Sequence, residues 1–298
     1  MNPALICVFT ILSVVASHGH AASAVATEST FPAVSGKITT TRTIGDETLM
    51  EVALRAGFGY EAVANSNRSL DPWKPGRGTE VILPGKALVP YGAKAGLTIN
   101  LAELRLFHIS ALKGGYRVSI YPLGIGREGR ETPEGQFRVI VKQEHPSWRV
   151  PEGLRVQEPG LPQVVPPGPH NPLGDYWLGL SAPGYGVHGT NRPLGVGRRV
   201  SYGCMRLYPQ DIASLYRQIE LGTPVQISYQ PIKAAMDGGK LLLEVHPDYQ
   251  GRFDDPFQNA LHVISNTGWQ GDIDYSLVRG VVRAQQGLPQ IIGRWRHE

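Results

Sequence analysis

Residues 187–207 read VHGTNRPLGVGRRVSYGCMRL and contain Cys204, the last cysteine of the chain. A histidine-glycine pair that begins at His188 stands a short way upstream. The thiolate is the nucleophilic form of cysteine, and a nearby imidazole can take the thiol proton or stabilise the thiolate. The run GYGV that leads to His188 is typical of the end of a strand. Two adjacent strands of one sheet could therefore bring His188 and Cys204 together across the intervening loop.

The residues around Cys204 favour an accessible, reactive thiol. Segment 201–206 is polar and has a glycine beside the cysteine, and the arginines nearby favour a thiolate. The backbone N–H groups of Gly203 and Cys204 are natural donors for an oxyanion, because glycine allows close backbone approach. Two alternatives stay open. The first is that Cys204 is a buried structural residue, which is the commoner role of a lone cysteine. The second concerns Arg198-Arg199, which are either solvated or placed to attract the thiolate or a substrate carboxylate.

The first 24 residues predict a cleaved signal peptide, so the protein is expected to be exported. An apolar run from Ala4 to about Ala16 is too short to cross a bilayer, and residues 22–24 fit the small-x-small pattern of a cleavage site. Cleavage would remove Cys7 and leave Cys204 alone, which excludes a disulfide framework and a cysteine-based zinc cluster. A buried N-terminal helix is the alternative.

Composition indicates a loop-rich β protein. The chain has 298 residues, enough for two domains, and contains 36 glycines and 24 prolines with little helical periodicity in the middle. Its formal net charge of +4 suits an anionic wall or membrane surface, and the basic residues are too dispersed for a nucleic-acid-binding patch. The other histidines lack metal-ligand spacing, so surface or core roles are favoured over zinc ligation.

Residues 40–86 predict a small strand-helix-helix-strand unit. Asp46 is expected to cap a helix that ends at Gly57, a second helix fits residues 60–65, and residues 80–83 form a strand. The motifs that carry a family resemblance here are Gly45-Asp46, Ala64-Asn65, Pro75-Gly76 and Val81-Ile82-Leu83-Pro84. With them the stretch resembles the LysM module, which implies binding to N-acetylglucosamine-containing glycan such as peptidoglycan. An unrelated small α/β cap is the alternative.

From Leu97 onward the pattern changes to strands separated by glycine and proline turns. The expected strands are Thr98–Ile109, Tyr116–Leu123, Gln136–Lys142, Tyr176–Leu180 and Thr223–Tyr229, with a helix after Pro209. A long proline-rich loop lies between Glu144 and Asp175, and loops of that length are often functional. Residues 231–298 predict a C-terminal extension packed on this domain. Within it we expect a strand in KLLLEVHPDY and helices at Pro256–Ser265 and Tyr275–Ala284.

Four ordered motifs carry a family resemblance, and they are His188-Gly189-Thr190, Ser201-Tyr202-Gly203-Cys204-Met205-Arg206-Leu207, Thr132-Pro133-x-Gly135-x-Phe137 and Pro166-Pro167-Gly168-Pro169-x-Asn171-Pro172-Leu173-Gly174. Together they resemble the L,D-transpeptidases. The resemblance implies a mainly β fold with α+β additions. A β-sandwich-like catalytic domain would span residues 96–230, beside the small βααβ LysM-like domain.

The resemblance also implies a reaction. Cys204 would attack the carbonyl on the L-centre of diaminopimelate in a peptidoglycan tetrapeptide stem, D-Ala would leave, and an amine would resolve the thioester. The amine belongs to another stem or to the C-terminal lysine of an outer-membrane lipoprotein. His188 would serve as base and acid, and the Gly189 carbonyl would orient it. No metal or organic cofactor is needed, carbapenems are expected covalent inhibitors, and a periplasmic location follows.

The residues expected around the substrate or its oxyanion are Asn171, Thr190, Ser201, Tyr202, Gly203 and Arg206. Tyr202 departs from the family pattern, which has a second histidine there. A phenol with a pKa near ~10 stays neutral and cannot shuttle protons near pH 7, but nucleophile and principal base are intact, so we expect activity to be retained. Two alternatives stay open: a hydrolase that uses the same site, and a non-catalytic wall-binding protein.

Overall fold

The computed structural model describes residues 31–295, so the predicted signal peptide at residues 1–24 lies outside the described residues. The described chain forms three consecutive units: the N-terminal unit (residues 34–88), the sheet domain (96–228) and the C-terminal unit (232–294). Between residues 31 and 295 no helix has the length and apolar character that crossing a membrane requires.

The strands and helices are mostly short and are joined by many turns. The strands are β1 (Val34–Ser35), β2 (Ile38–Arg42), β3 (Glu80–Pro84), β4 (Ala87–Leu88), β5 (Gly96–Asn100), β6 (Arg105–Leu112), β7 (Gly115–Pro122), β8 (Ile125–Gly126), β9 (Gly135–Glu144), β10 (Trp148–Arg149), β11 (Val164–Val165), β12 (Tyr176–Leu180), β13 (Gly186–His188), β14 (Arg199–Ser201), β15 (Met205–Arg206), β16 (Pro224–Ser228), β17 (Ile232–Asp237), β18 (Lys240–Val245), β19 (Asp272–Ile273) and β20 (Gln290–Arg294). The helices are α1 (Leu49–Ala56), α2 (Tyr60–Ser66), α3 (Glu152–Gln157), α4 (Pro209–Gln218), α5 (Pro256–Ser265) and α6 (Tyr275–Ala284).

The sheet domain is organised around an eight-stranded sheet in the order β15-β13-β12-β9-β16-β5-β6-β7. Most neighbours are antiparallel, but β5 and β16 run parallel, and so do β13 and β15 at one edge of the sheet. Buried side chains of α4, Ile212 and Leu215, share one hydrophobic core with Leu97, Leu178 and Val225 of the sheet. This core fixes the strands that carry the motifs identified in the sequence.

The apolar run at residues 98–109, predicted as one strand, is two antiparallel strands, β5 and β6. The chain reverses in a 3₁₀ turn at Leu101–Glu103. There the Asn100 side chain accepts a hydrogen bond from Ala102 N–H (3.3 Å) and donates to the Glu103 carboxylate (2.6 Å). An asparagine that bonds to the following backbone makes a turn without glycine or proline. The prediction was wrong because it relied on those two residues to mark reversals.

In the N-terminal unit, β2 and β3 pair antiparallel and α1 and α2 lie between them in the chain. Helix α1 begins later than predicted because Thr48, not Asp46, caps it. Thr48 Oγ1 accepts a hydrogen bond from Glu51 N–H at 3.2 Å, and the Glu51 carboxylate accepts one from Thr48 N–H at 2.8 Å. Gly57, with φ of 74°, ends the helix as predicted. The identity of this unit as a LysM module stays a prediction.

The C-terminal unit has its own four-stranded antiparallel sheet, in the order β17-β18-β20-β19. Helices α5 and α6 span the residues predicted to be helical, and β18 lies within the predicted strand, so these predictions are confirmed. The buried side chains that form a separate core include Leu241, Leu243, Ala260, Val278 and Ile292. The extension is therefore a folded unit with a hydrophobic centre.

Five ionisable side chains form a buried network where the units meet. Lys233 Nζ lies 2.7 Å from Glu103 Oε1 and 3.4 Å from Glu244 Oε2. Arg105 Nη1 lies 3.2 Å and 3.4 Å from the same two carboxylates. His246 Nε2 adds a contact of 2.8 Å to Glu244. Two carboxylates thus face two cations, which is the pairing that buried charges require.

The same network holds the end of the N-terminal unit through backbone groups. Lys233 Nζ donates to Leu88 O at 2.7 Å, and Leu88 N–H donates to the Glu244 carboxylate at 2.6 Å. Arg105 Nη2 donates to Pro84 O at 2.5 Å. The network therefore joins the N-terminal unit, the sheet domain and the C-terminal unit at one buried point.

Glu244→Gln is expected to lower the free energy of unfolding by about 3–5 kcal/mol, because it leaves two buried cations with one carboxylate. The matched control is Glu134→Gln, which breaks the more exposed ion pair between Glu134 and Arg252. That change should cost no more than about 1 kcal/mol. Urea denaturation at neutral pH measures both.

The network also predicts a pH dependence. Burial alone would raise the pKa of Glu244, but the charge of Lys233, the hydrogen bond with His246 and the charge of Arg105 together hold it below its ordinary value of 4.5. Stabilisation by Glu244 is therefore complete above about pH 4.5 and is lost as the pH falls below that value. Between about pH 5 and pH 3 the wild-type protein should lose more stability than Glu244→Gln; parallel losses would contradict this assignment.

Candidate active site

A short parallel strand pair brings the histidine and cysteine segments side by side. Strand β13 ends at His188 and β15 begins at Met205, and the two pair with Val187 opposite Met205 and His188 opposite Arg206. Cys204 is the residue directly before β15. The predicted adjacency of the two strands is confirmed, and both segments lie at the same edge of the eight-stranded sheet.

Cys204 is partly buried, and its thiol is protonated at neutral pH. The thiol donates to Gly184 O at a sulfur–oxygen distance of 3.5 Å. Burial raises the pKa of Cys204, although a backbone hydrogen bond from Gly186 and the positive charge of Arg206 both lower it. Arg206 acts in the expected direction and favours the thiolate, but desolvation outweighs its charge, so the thiol is the resting form.

His188 is 3% exposed and is held in one tautomer. Its Nδ1 lies 2.6 Å from Gly189 O. Since a carbonyl oxygen only accepts, Nδ1 carries the proton and Nε2 has the free lone pair. Trp177, opposite His188 on β12, stacks on the imidazole with ring centroids 5.7 Å apart and planes at 25°. Gly189 thus has the contact expected of an orienting acceptor, and the ring plane is fixed by packing.

The imidazole of His188 is neutral at physiological pH. Burial and then the charge of Arg206 lower its pKa to about 3, although the carbonyls of Gly189 and Leu173 act in the opposite direction. Within residues 31–295 no hydrogen bond joins the ring to Cys204 Sγ: the ring bonds to Gly189 through Nδ1, and the thiol proton is directed to Gly184 O. The thiol must turn away from the Gly184 carbonyl before its proton can pass to Nε2.

Ser201 holds the backbone that carries the nucleophile. Its buried hydroxyl accepts a hydrogen bond from Gly203 N–H at 3.1 Å and donates to Cys204 O at 2.5 Å. Because the Gly203 N–H is occupied, its predicted role as an oxyanion donor is wrong for this arrangement. The Cys204 N–H makes no hydrogen bond to any group in the described part of the chain. Of the two predicted donors, that N–H is the free one.

Thr132 is a residue of the site that the sequence contained only as part of a turn motif. It is buried, and its Oγ1 donates to Gly203 O at 2.8 Å and accepts from Gly126 N–H at 3.1 Å. Gly203 has φ of 105°, and a Cβ there would lie 2.7 Å from the Tyr185 ring. Thr132 and Tyr185 therefore enclose the residue before the cysteine so closely that only glycine fits.

Arg206 presents a guanidinium nitrogen without a protein acceptor. Its backbone bonds to Gly124 in both directions at 2.8 Å, which fixes the start of the side chain. Among residues 31–295, nothing accepts a hydrogen bond from its buried Nε. Burial lowers the pKa of Arg206, Cys204 acts in the opposite direction, and the neighbouring Arg192 lowers it further. A buried, unpaired donor of this type suits a carboxylate from a bound ligand.

Tyr202 contacts two arginine side chains and the proline-rich loop. Its hydroxyl accepts from Arg127 Nη2 at 3.1 Å and donates to Gln157 Oε1 at 3.5 Å. The guanidinium groups of Arg127 and Arg130 lie 4.6 Å and 5.9 Å from its ring centroid. Because Gln157 ends helix α3, Tyr202 connects the cysteine segment to the proline-rich loop.

Asn171 and Thr190, predicted to contact substrate, have structural roles beside the site. Asn171 is 1% exposed, its Nδ2 donates to Pro146 O at 2.7 Å, and its Oδ1 accepts from Leu173 N–H at 2.9 Å. Thr190 is also buried, and its Oγ1 accepts from Arg192 N–H at 3.0 Å. The substrate-contact prediction is wrong for Asn171, because the loop backbone uses both ends of its amide.

Comparison with known proteins gives this arrangement a family. Residues 94–227 match the YkuD family, described as the L,D-transpeptidase catalytic domain. Probable L,D-transpeptidase YcfS of Escherichia coli is 34% identical over 260 residues, which make up 83% of this chain and 80% of the relative. The chain belongs to the L,D-transpeptidase family.

A further relative agrees with this membership. Probable L,D-transpeptidase ErfK/SrfK of Salmonella typhimurium is 34% identical over 261 residues, 83% of either chain. The family prediction is confirmed by these L,D-transpeptidases, and the mainly β fold class is confirmed by the eight-stranded sheet. An NMR structure of the catalytic domain from the Enterococcus faecium L,D-transpeptidase aligns with 46% of this chain and 99% of that one, at 22% identity and a TM-score of 0.36.

The site geometry predicts the protonation state of this L,D-transpeptidase. Nitrogen-15 NMR of the imidazole should show His188 as the neutral Nδ1–H tautomer between about pH 5 and pH 8, because its pKa is lowered to about 3. Arg206→Met should raise that pKa, since one lowering charge is gone, while burial keeps it below the ordinary 6.5. An imidazolium signal from His188 in the wild-type protein at pH 6 would contradict the assignment.

Proposed function

We propose that this chain catalyses L,D-transpeptidation with Cys204 as nucleophile and His188 as base and acid. The donor is a peptidoglycan tetrapeptide stem, attacked at the carbonyl on the L-centre of diaminopimelate. The observation that carries the proposal is the β13–β15 pairing, which sets a neutral imidazole with a free Nε2 beside the strand that follows the cysteine. Membership of the L,D-transpeptidase family supports the same reaction.

Acylation would begin as the thiol proton passes to His188 Nε2 and Sγ bonds to the carbonyl carbon. The carbonyl oxygen becomes negative and accepts a hydrogen bond from Cys204 N–H, which has no partner among residues 31–295. His188 then returns the proton to the departing nitrogen, and the C–N bond breaks. D-Ala leaves with its amine, and a thioester joins Cys204 to the shortened stem.

An amine resolves the thioester in the second half of the reaction. The amine nitrogen attacks the thioester carbonyl, its proton passes to His188, and the C–S bond breaks. The proton returns to Sγ, so the new amide forms and the neutral resting pair is restored. The same thioester yields a free carboxylate if water takes the place of the amine.

The resting charges suit this order of events. Burial and the charge of Arg206 keep the His188 pKa at about 3, so an imidazolium is unfavourable in the empty site. The negative charge that forms on the substrate oxygen compensates for the proton only while the reaction proceeds. The unpaired Nε of Arg206 is the proposed contact for a carboxylate of the stem.

The acceptor and the location are parts of the proposal that rest on the sequence resemblance. The acceptor amine belongs to a second stem or to the C-terminal lysine of an outer-membrane lipoprotein. The enzyme acts in the periplasm after removal of residues 1–24, and the N-terminal unit binds peptidoglycan glycan in the manner of a LysM module. The net charge of +4 is compatible with an anionic wall.

Covalent labelling tests the nucleophile. Intact-mass measurement after incubation with a carbapenem should show one adduct on the mature protein and none on Cys204→Ala. Wild-type protein that takes up no carbapenem, or an adduct that persists in Cys204→Ala, would overturn the proposal. A tetrapeptide muropeptide, supplied with and without an amine acceptor, then distinguishes ligation from hydrolysis by the mass of the product.

The phenol at Tyr202 is expected to support acylation, because nucleophile and base are intact. Tyr202→Phe keeps the ring that stacks under Arg127 but removes the hydroxyl bonded to Arg127 and Gln157. We expect its acylation rate with a carbapenem to fall by less than about tenfold. If wild-type protein forms no acyl-enzyme and Tyr202→His restores it, the residue takes part in proton transfer and this expectation fails.

A further inference from the structure

The N-terminal unit touches the loop that joins the histidine to the cysteine. Glu61 N–H, in the first turn of α2, donates to Gly197 O at 3.1 Å. The N–H of Gly197 donates in the opposite direction, to Leu123 O at 3.2 Å. One residue of the catalytic loop is therefore bonded on one side to the sheet domain and on the other to the N-terminal unit.

The contact between the two backbones leaves no room for a side chain. Gly197 has φ of 76°, and a Cβ at that position would overlap the Cα of Gly59. Conversely, a Cβ on Gly59 would lie 2.9 Å from the Cα of Gly197, closer than real Cβ contacts come. Gly59 is the residue before α2 and has an ordinary backbone conformation, with φ of −75°. Glycine at Gly59 is thus required by the neighbour and not by its own backbone.

Charged and polar groups surround this contact. Burial raises the pKa of Glu61, while the nearby positive charges of Arg199 and Arg198 lower it. The Arg199 guanidinium also lies 4.1 Å from the ring centroid of Tyr249 in the C-terminal unit. Of the two roles left open for this arginine pair, the exposed Arg199 fits the solvated one, and it also lies near a carboxylate of the N-terminal unit and an aromatic ring.

A hydrogen bond from Tyr208, the residue directly before α4, reinforces the contact. Tyr208 is 2% exposed and its hydroxyl donates to Phe58 O at 2.9 Å. Burial raises the pKa of Tyr208 to about 12, so the hydroxyl stays a donor at neutral pH. The segments before and after Cys204 are both attached to the chain at residues 58–61.

The path from this contact to the nucleophile is short. After Gly197 the chain enters β14, which pairs with β8 through Arg199 opposite Ile125 and Ser201 opposite Gly126. Ser201 in turn binds Cys204 O and Gly203 N–H. A shift at Gly197 therefore moves the strand whose last residue fixes the cysteine backbone.

We propose that the N-terminal unit is a positioning element of the active site. The positioning residues are Gly59 of the N-terminal unit and Gly197 of the sheet domain. Their contact sets the position of β14, and β14 in turn sets the position of Cys204 relative to His188. The proposal rests on the cysteine acyl transfer described above, and it adds that a unit outside the catalytic sheet contributes to the chemical step. A glycan-binding unit joined by a loose tether would have no such effect.

Gly59→Ala in the full-length mature protein tests this directly, because the change lies outside the sheet domain and introduces no backbone strain. The probe is a carbapenem, which has no sugar, so lost glycan binding cannot alter the result. We expect the first-order rate constant for acylation of Cys204 to fall by about tenfold or more, with little change in the concentration that gives half the maximal rate. The matched control is Gly280→Ala, also at ordinary φ, where no atom lies within 4 Å of the added Cβ; it should react like wild type.

Thermal unfolding of each variant accompanies the rate measurement. A folded Gly59→Ala protein that acylates at the wild-type rate overturns the inference. If Gly59→Ala does not fold, Tyr208→Phe decides: a folded variant with acylation slowed by about threefold or more supports the inference, and an unchanged rate overturns it. Wild-type protein that is not labelled at Cys204 would instead refute the proposed function, so the two failures are distinguishable.

Discussion

The site depends on two residue pairs of parallel backbone, Val187 with Met205 and His188 with Arg206. Parallel neighbours need a crossover of about a dozen residues or more, which is usually a helix. Here the crossover is the irregular loop that carries Gly197 and then β14. The relative position of the histidine and the cysteine therefore depends on the conformation of that loop, and hydrogen bonds from three directions fix the loop. One comes from the sheet, one from the N-terminal unit, and the Ser201 hydroxyl closes its end.

Burial, and not charge, sets the resting chemistry of the pair. It raises the pKa of Cys204 and lowers that of His188, so both groups are neutral although Arg206 is close to each. A neutral thiol is oxidised more slowly than a thiolate. For a protein proposed to work in an oxidising compartment with one free cysteine, this suppresses side reactions until a substrate arrives. Reactivity then depends on bringing the carbonyl, the thiol and the imidazole together.

Sequence patterns predicted the parts of the site that local motifs encode. The pairing of the strands at His188 and Cys204 and the helices of the C-terminal unit follow from residue types in one short window. Properties that depend on distant packing were not predictable. The bond from the Asn171 amide to Pro146 O and the direction of the cysteine pKa shift arise from groups that only the folded domain brings together. The use of the Gly203 N–H by Ser201 is local, two residues along the chain, but no pattern of residue types marks it. The reversal after Asn100 was missed because its signal is a hydrogen bond and not a glycine or proline.

The buried charges at the junction of the units determine what a truncated form of the enzyme would lose. A fragment that stops at residue 230 retains every strand of the eight-stranded sheet together with the nucleophile and its imidazole. It loses Lys233, Glu244 and His246, so that Glu103 and Arg105 keep only each other as ion-pair partners within this network. The segment that contains the catalytic groups is therefore expected to be less stable alone than together with the C-terminal unit, whose side chains complete the buried ion pairs.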